Sequence, residues 1–467
     1  MTALEEPGAR GPRPVAARAG PGRARRRTSR VAVVALGDLG RSPRMLYHAL
    51  ALAAEEADVD LVGYAGSALP REVEKGARIR VHRLAPPLLE RPHRLPRPLR
   101  LVHAALRAAG LAVRLLLTLL LATRRPDVIL VQTPPAIPTL PVALVAARAR
   151  GARLVVDWHN FGHAVLALSL GPAHPAVALA RALERAAGRR ADAHLCVSEA
   201  MRAELDRAFR IPSATVLRDR PARRFAPTPP ALRPDLLRRL GADLAPRERG
   251  PAGPGRHPAP RAVLVTATSF TADEDLGLLL EAASRFEAMV RADDGRTGGP
   301  RRLPDALVLV TGRGPRRADF EAELERRAAA GGGGPAHVRV RTLWLEPDDY
   351  PRLLGSADLG LCLHRSASGF DLPMKVADMF GAGLPVLALG YGPVQDEQVR
   401  DGENGRVFRT AGELADQLGE LLSGFPDDAP HLERLRRGVA RLAGAGLRWE
   451  DGWREEARPV LLPPRAP

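Results

Sequence analysis

Lysine and cysteine are almost missing from this chain. Of 467 residues only Lys75 and Lys375 are lysine, against 68 arginines among the 70 basic residues, and only Cys196 and Cys362 are cysteine. Two cysteines, with no CxxC and no Cys/His cluster, exclude a disulfide framework and a zinc module and suit a reducing compartment. The near-exclusive use of Arg in an Ala/Arg/Gly/Pro-rich chain points to GC-rich coding, so a single Arg carries little message and a surviving Lys carries more. No uncharged apolar run reaches about 18 residues, and the basic, proline-rich N-terminus lacks the apolar core of a signal peptide.

What is present is charge and enough apolar material for cores. Hydrophobic residues make up 45% of the chain, which excludes wholesale disorder. The length suits two sizeable lobes or three small ones. The formal net charge of +17 points to an anionic partner: a phosphate, a nucleic acid or a membrane surface. Residues 1–30 carry a net of +6, and residues 222–260, with nine prolines, a net of +5. Neither stretch has a hydrophobic period, so the first reads as a disordered basic tail and the second as a Pro/Arg-rich solvated linker.

Between them the texture is α/β. Val31–Leu36 is a short β-branched run followed by a glycine turn and a helical pattern from about Pro43 to Glu56, the opening of a Rossmann-like unit. Further strands are expected at Val59–Tyr64, Arg78–Arg83, Val128–Gln132, Arg153–Val156 and His194–Val197. After the linker the pattern restarts at Ala262–Ala267, Ala306–Thr311, Val338–Leu343, Leu359–Leu363 and Pro385–Ala388. This predicts two Rossmann-like lobes facing across a cleft, 31–221 and 261–425, with a C-terminal helix and tail over 426–467. Proline- and glycine-rich pieces at 291–304 and 331–335 read as surface loop insertions.

One segment comes close to a membrane span. Arg100, Arg107, Arg114 and Arg125 fall within about 40° of each other at 100° per residue, and the rest of the segment is nearly all Leu, Ala and Val. A helix with one narrow basic stripe and a broad apolar face fits a position in a membrane interface. The alternative is a buried crossover helix whose stripe faces solvent.

The turn Gly37-Asp38-Leu39-Gly40-Arg41-Ser42-Pro43-Arg44 is not GxGxxG, which argues against a dinucleotide. It presents backbone N–H groups, Arg41 and Arg44 at a helix N-terminus, where an anion is favoured, with Ser42 as cap and Pro43 in the first turn. Asp157-Trp158-His159-Asn160 follows a strand, at the end of a parallel sheet where ligands bind, and supplies a carboxylate and an imidazole for general-base work. In the second half Gly312-Arg313-Gly314 combines close backbone approach with a phosphate ligand. The loop Ser366–Gly369 leads past Asp371 into a helix with Lys375 in its first turn and Asp378 one turn on. A cation there opposes the helix dipole, so an anion should compensate it; a nucleotide-sugar diphosphate would, leaving Asp378 for ribose hydroxyls. The pair Asp58-Val59-Asp60 lies at the wrong end of a strand for a ligand and reads as a turn, with no metal expected.

Together Gly37–His48, Val156–Asn160, Trp344–Tyr350, Gly355–Gly360, Asp371–Gly381 and Glu403–Gly405 resemble the chitobiosyldiphosphodolichol beta-mannosyltransferases, which have the GT-B fold. The similarity runs from about residue 31 to 222 and from about 261 to 457. The resemblance implies transfer of mannose from GDP-mannose to the chitobiose of a dolichol-diphosphate acceptor, forming a β-1,4 bond with inversion in N-glycan precursor assembly. It implies no required cofactor, with a divalent metal stimulatory at most. It assigns Gly312, Arg313, Gly314, Ser368, Gly369 and Lys375 to the donor diphosphate, Asp371 to the donor sugar and Asp378 to the ribose. Asp157 or His159 would be the base, with Asp38 in reserve. Gly37, Gly40, Arg41 and Arg44 would hold the acceptor diphosphate, and residues 100–125 would meet the lipid. The implied place is the cytosolic face of the endoplasmic reticulum membrane, beside other transferases of the pathway and without nucleic acid.

Three departures stand out. The family usually begins with a membrane-spanning helix where this chain has an Arg-rich tail, and residues 241–260 look expanded. Phe370 stands eight residues before Asp378, where many retaining GT-B enzymes carry an acid. That last departure speaks against a retaining GT-B glycosyltransferase on another lipid-linked acceptor, the nearest rival. A sugar-nucleotide epimerase and a non-enzymatic binder of nucleic acid or anionic lipid are the more distant ones.

Overall fold

The computed structural model describes residues 28–85, 97–240, 261–271, 273–294, 302–330, 337–346, 348–444 and 448–462. Most of the basic tail, residues 241–260 of the linker and most of the two loop insertions lie outside these. Strands β1 (Arg30–Asp38), β2 (Asp58–Tyr64), β3 (Ile79–Leu84), β4 (Val128–Thr133), β5 (Arg153–Trp158), β6 (Ala193–Cys196) and β7 (Ala214–Val216) form a parallel sheet in the order 3-2-1-4-5-6-7. A second parallel sheet holds β8 (Arg261–Thr268), β9 (Asp305–Gly312), β10 (Val338–Leu343), β11 (Leu359–Cys362), β12 (Val386–Leu389) and β13 (Gly405–Phe408), in the order 10-9-8-11-12-13. Two such doubly wound lobes facing across a cleft are the GT-B architecture.

Both sheets are apolar on both faces because helices cover both. Along β1, Val31, Val33 and Ala35 feed one core while Ala32, Val34 and Leu36 feed another. The first of these cores continues through Phe225, Leu237, Trp449 and Trp453 into Val263 and Leu307 of the second sheet, so one apolar body runs through both lobes. Strand order reverses beside β1 and beside β8, and the carboxyl ends at such points are where open α/β sheets bind ligands. At the first, the pairing register slips between Ala35 and Asp38, which carries Asp38 past the regular ladder.

Several expectations need correction. The short edge strands β7 and β13 fall outside the expected set. Asp58 and Asp60 do not form a turn; they open β2, with Asp60 bonded to His82 at 2.8 Å and Arg124 at 3.2 Å. Ser42 sits at the N-cap, but its hydroxyl donates back to the Asp38 carbonyl at 2.9 Å and caps nothing. Residues 222–240 are not a solvated linker. Phe225 and Leu237 are fully buried, Thr228 N–H donates to Gly355 O at 2.8 Å, and the Arg233 guanidinium holds Asp358 of the second lobe. The prolines and arginines around these two apolar residues hide the pattern.

The chain passes between the lobes twice, and the passes touch. Trp449 N–H donates to Pro221 O at 3.1 Å and Arg448 to Phe225 O at 2.9 Å. Beyond them the C-terminal helices return to the first lobe, where Arg458 meets Glu55 at 2.7 Å. On the outside of the first lobe, the helix Arg97–Leu117 and the wider turn that follows bury Leu115 and Leu119 but expose Val102, Leu106, Val113, Leu117 and Leu121, the last at 78%. Arg107 and Arg114 sit half-buried at the border of that face, with Arg114 reaching Ala85 O at 3.3 Å. Among the described residues, Ala105–Ala122 is the one segment long and apolar enough to cross a membrane.

Truncating Leu237 should distinguish packed chain from linker. Leu237→Ala is expected to destabilise by about 2–5 kcal/mol in chemical denaturation, whereas a linker residue would shift stability by about 0.5 kcal/mol or less.

Candidate active site

The carboxyl ends of both sheets open into a cleft of about 690 Å³, within the range of small-molecule sites. Asp38, Gly40 and Arg41 line it from the first lobe and Gly312, Arg313, Lys375 and Asp378 from the second, so these expected residues are brought together. Gly37 does not line the cleft.

The second-lobe side is built by close backbone approach. Gly312 adopts φ +147°, and a Cβ there would lie 1.8 Å from Thr268 O; a Cβ on Gly314 would lie 1.6 Å from Ser269 O. Only glycine lets the loop after β9 close on the loop after β8. Glu274 locks the arrangement: its carboxylate accepts from the Thr268 hydroxyl, from Ser269 N–H at 2.8 Å and from Lys375 Nζ. The anion that compensates Lys375 is therefore Glu274, and the pair is nearly buried. Burial opposes the lysine charge, but Glu274 overcomes it and holds Lys375 above its ordinary value. Glu274 carries no sequence signal, lying in the acidic run Asp273-Glu274-Asp275 with no spacing to mark it.

Arg313 and Arg41 approach each other across the cleft, Arg41 Nη2 lying 3.4 Å from Arg313 O. The Arg313 guanidinium stacks on Trp344, 3.9 Å from the ring centre. Arg224, hidden from sequence reasoning inside the apparent linker, also lines the cleft and donates to the Tyr47 hydroxyl at 3.3 Å. Near it Asp378 is buried, which pushes its carboxyl up to about 7 despite the Arg224 charge. Asp38 holds the first-lobe rim, accepting from Gly40 N–H at 3.0 Å, Ser67 N–H at 3.0 Å and the Ser67 hydroxyl at 2.7 Å.

Two expected site residues are withdrawn from the cleft. Asp157 is 0% exposed and Arg44 1%, and they bind each other through two hydrogen bonds of 2.6 and 2.8 Å. Arg44 also donates to Asp219 at 2.6 Å and Leu217 O at 3.0 Å. His48 completes the cluster: Trp453 Nε1 can only donate, so His48 Nδ1 accepts at 2.9 Å and Nε2–H donates to Asp157 at 3.1 Å. Burial keeps His48 neutral, below its ordinary value. Burial alone would raise the Asp157 carboxyl, but Arg44 and His48 hold it well below the carboxylate range. A carboxylate so stabilised is a poor base, and an Arg so enclosed reaches no ligand.

His159, the other expected base, is partly exposed and does not line the cleft. Its Nδ1 lies 3.9 Å from Asp219 Oδ2, and both atoms are buried without a hydrogen-bond partner. The loop after β11 stands nearby. Asp371 accepts from the Ser366 hydroxyl, Ser368 at 3.2 Å and His364 at 3.1 Å. Burial opposes its charge, yet these bonds hold the carboxyl below its ordinary value. Gly369, at φ +81°, donates to the Ser366 hydroxyl at 2.7 Å. Ser368 faces a separate pocket of about 340 Å³ between the lobes, floored by Phe161, Leu168 and Phe370, so this loop and the cleft are distinct places. Among the described residues no group of three or more His, Cys, Asp or Glu is arranged to hold a metal.

Comparison with known proteins agrees with this architecture. Residues 39–218 match the glycosyl transferase 4-like domain, and residues 261–424 match glycosyl transferases group 1. The chain is 39% identical to the UDP-glycosyltransferase TURAN of Arabidopsis thaliana over 92% of its length and 97% of that protein. It is 38% identical to the chitobiosyldiphosphodolichol beta-mannosyltransferase of Mus musculus over 94% of its length and 90% of that protein. Among solved structures, Anabaena HepE in complex with UDP-glucose superimposes with a TM-score of 0.63 at 16% identity, covering 92% of this chain and 99% of that one, a likeness of fold.

The Asp378 carboxyl gives a pH test. Because its folded value is raised to about 7, its contribution to stability is fully present below the unfolded value near pH 4 and is lost as pH rises through 7. Asp378→Asn should therefore gain on the wild type in urea denaturation between about pH 5 and pH 8, and a difference constant over that range would contradict the assignment.

Proposed function

As the chain belongs to the chitobiosyldiphosphodolichol beta-mannosyltransferase family of glycosyltransferases, we propose that it transfers mannose from GDP-mannose to the chitobiose of a lipid-diphosphate acceptor, forming a β-1,4 bond with inversion. The observation that carries this reading is the cleft itself, where Arg41, Arg224, Arg313 and Lys375 gather positive charge and Asp378 also lines the wall. Four cations lining one cleft suit a diphosphate leaving group, whose developing charge they would stabilise without reorganising.

In this mechanism His159 is the base. It takes the proton of the acceptor hydroxyl, whose oxygen attacks C1 of mannose from the face opposite the diphosphate, and GDP departs with the bonding electron pair. Asp219, 3.9 Å from His159 Nδ1, would then stabilise the imidazolium that forms. Asp38 keeps the rim of the cleft in shape, while Arg41 is placed to serve the acceptor diphosphate. Lys375, Arg313 and the glycines at 312 and 314 would hold the donor diphosphate and Asp378 the ribose, while Asp371, beside His159, would face the donor sugar, with Ser368 and Gly369 shaping its loop. No cofactor is required in this reading, and a divalent metal stimulates at most.

The exposed apolar face of residues 102–121, with Arg107 and Arg114 at its border, would lie in the headgroup layer on the cytosolic face of the endoplasmic reticulum membrane, where lipid-linked acceptors and other enzymes of the pathway are found. The Arabidopsis relative is named for a UDP-linked donor, which makes guanine against uracil the distinction to test.

Incubation with GDP-mannose and a phytanyl- or dolichyl-diphosphate chitobiose should give a trisaccharide lipid whose new linkage is β by anomeric NMR, with turnover persisting in EDTA; an α linkage would refute inversion. His159→Ala should lower kcat by about 100-fold or more while leaving GDP binding unchanged, and full turnover by that variant would remove His159 from the base role.

A further inference from the structure

The cleft has one carboxylate that no side chain among the described residues engages. Three carboxylates line it. Asp38 is engaged by Gly40 and Ser67, and Asp378 is buried beside Arg224. Glu346 is exposed, and its carboxylate makes no side-chain interaction among the described residues; only its backbone carbonyl is engaged, by the N–H groups of Asp349 and Tyr350. An unpaired anion lining a cleft for an anionic ligand repels that ligand unless it meets hydrogen-bond donors.

Its position says which donors. Glu346 follows β10, the edge strand of the second sheet, and Lys375 enters from the loop after β11. The order 10-9-8-11 puts three strand spacings between them, about 14 Å at roughly 4.8 Å each. An extended nucleoside diphosphate with its diphosphate near Lys375 and its ribose near Asp378 would bring its base to the edge strand. There Trp344, two residues before Glu346, is 41% exposed, Arg313 covers one face of the ring, and Leu345 between them also lines the cleft. Stacking surface beside an unpaired carboxylate is what a nucleobase subsite requires.

We propose that Trp344 and Glu346 form the nucleobase subsite and that Glu346 selects guanine, an assignment that rests on the GDP-mannose reading. Guanine is the one common base whose Watson–Crick edge offers two adjacent donors, N1–H and the N2 amino group, to the two oxygens of a carboxylate. Uracil presents a single N–H between two carbonyls, which repel the carboxylate, and in adenine and cytosine the amino group adjoins a bare ring nitrogen. A bidentate, charge-assisted pair favours guanine by roughly 10–100-fold, and a base lacking one donor leaves the carboxylate half-satisfied.

Isothermal titration of GDP, inosine diphosphate and UDP against the full chain, wild type and Glu346→Ala, tests the assignment. The wild type should bind GDP about 10–100-fold more tightly than UDP, with inosine diphosphate, which lacks the amino group, between them. Glu346→Ala should lose that margin on GDP and hold UDP at least as well as before, and Glu346→Gln should fall between. Since Glu346 is exposed, the variants keep the fold, checked by an unchanged melting temperature. A GDP preference that survives in Glu346→Ala overturns the guanine assignment alone. A wild type that binds UDP as tightly as GDP overturns the GDP-mannose reading and the assignment with it.

Discussion

A guanidinium with almost no access to water organises this molecule. Desolvating Arg44 is expensive, and it is tolerated because Asp157 and Asp219 neutralise it in bidentate and end-on geometry while Leu217 O takes a remaining donor. These partners come from β5 and from the chain leaving β7, and Arg44 itself comes from the helix after β1. His48 extends the cluster to Trp453 in the C-terminal helices. One buried ion cluster thus joins the first helix, the middle of the sheet, the passage between lobes and the end of the chain. Removing Arg44 leaves two buried carboxylates without their cation, the costly case for such networks.

The same cluster shapes the site without entering it. Asp219 gives one oxygen to Arg44 and turns the other toward the partly exposed His159, so a group engaged in the core also faces a group near the surface. Across the cleft Glu274 has the matching place: it ties the loop after β8 to Lys375 and keeps that lysine charged and in place before any anion arrives.

Much of the fold could be read from the chain because parallel strands buried on both faces are continuous β-branched runs, and those at Val31–Leu36 or Ala306–Thr311 have no other plausible state. Lys375 stood out because lysine is otherwise avoided. The errors share one cause, which is that sequence shows charge and hides depth. Asp157 and Arg44 carry the right chemistry for a base and a phosphate ligand, and only their distant partners, Asp219 and His48, reveal that they face inward. Arg224 and Leu237 were lost among prolines and arginines whose composition resembles a linker, and Glu274 had no motif around it. The Asp157-Trp158-His159 run also shows how narrow the margin is, since two residues beyond a core carboxylate the chain has already reached solvent.

The two passages of the chain between the lobes lie side by side and are bonded to each other at Pro221–Trp449 and Phe225–Arg448. A single tether would let the lobes swivel; a doubled one resists torsion and leaves bending as the soft coordinate. Arg224 lies in that strap beside Asp378, whereas the Arg41–Arg313 contact spans two loops carried by different sheets. In this sense the molecule is built like a clamp with a stiff joint: a bend about that joint would part Arg41 from Arg313 at the tips before it disturbed the surroundings of Asp378.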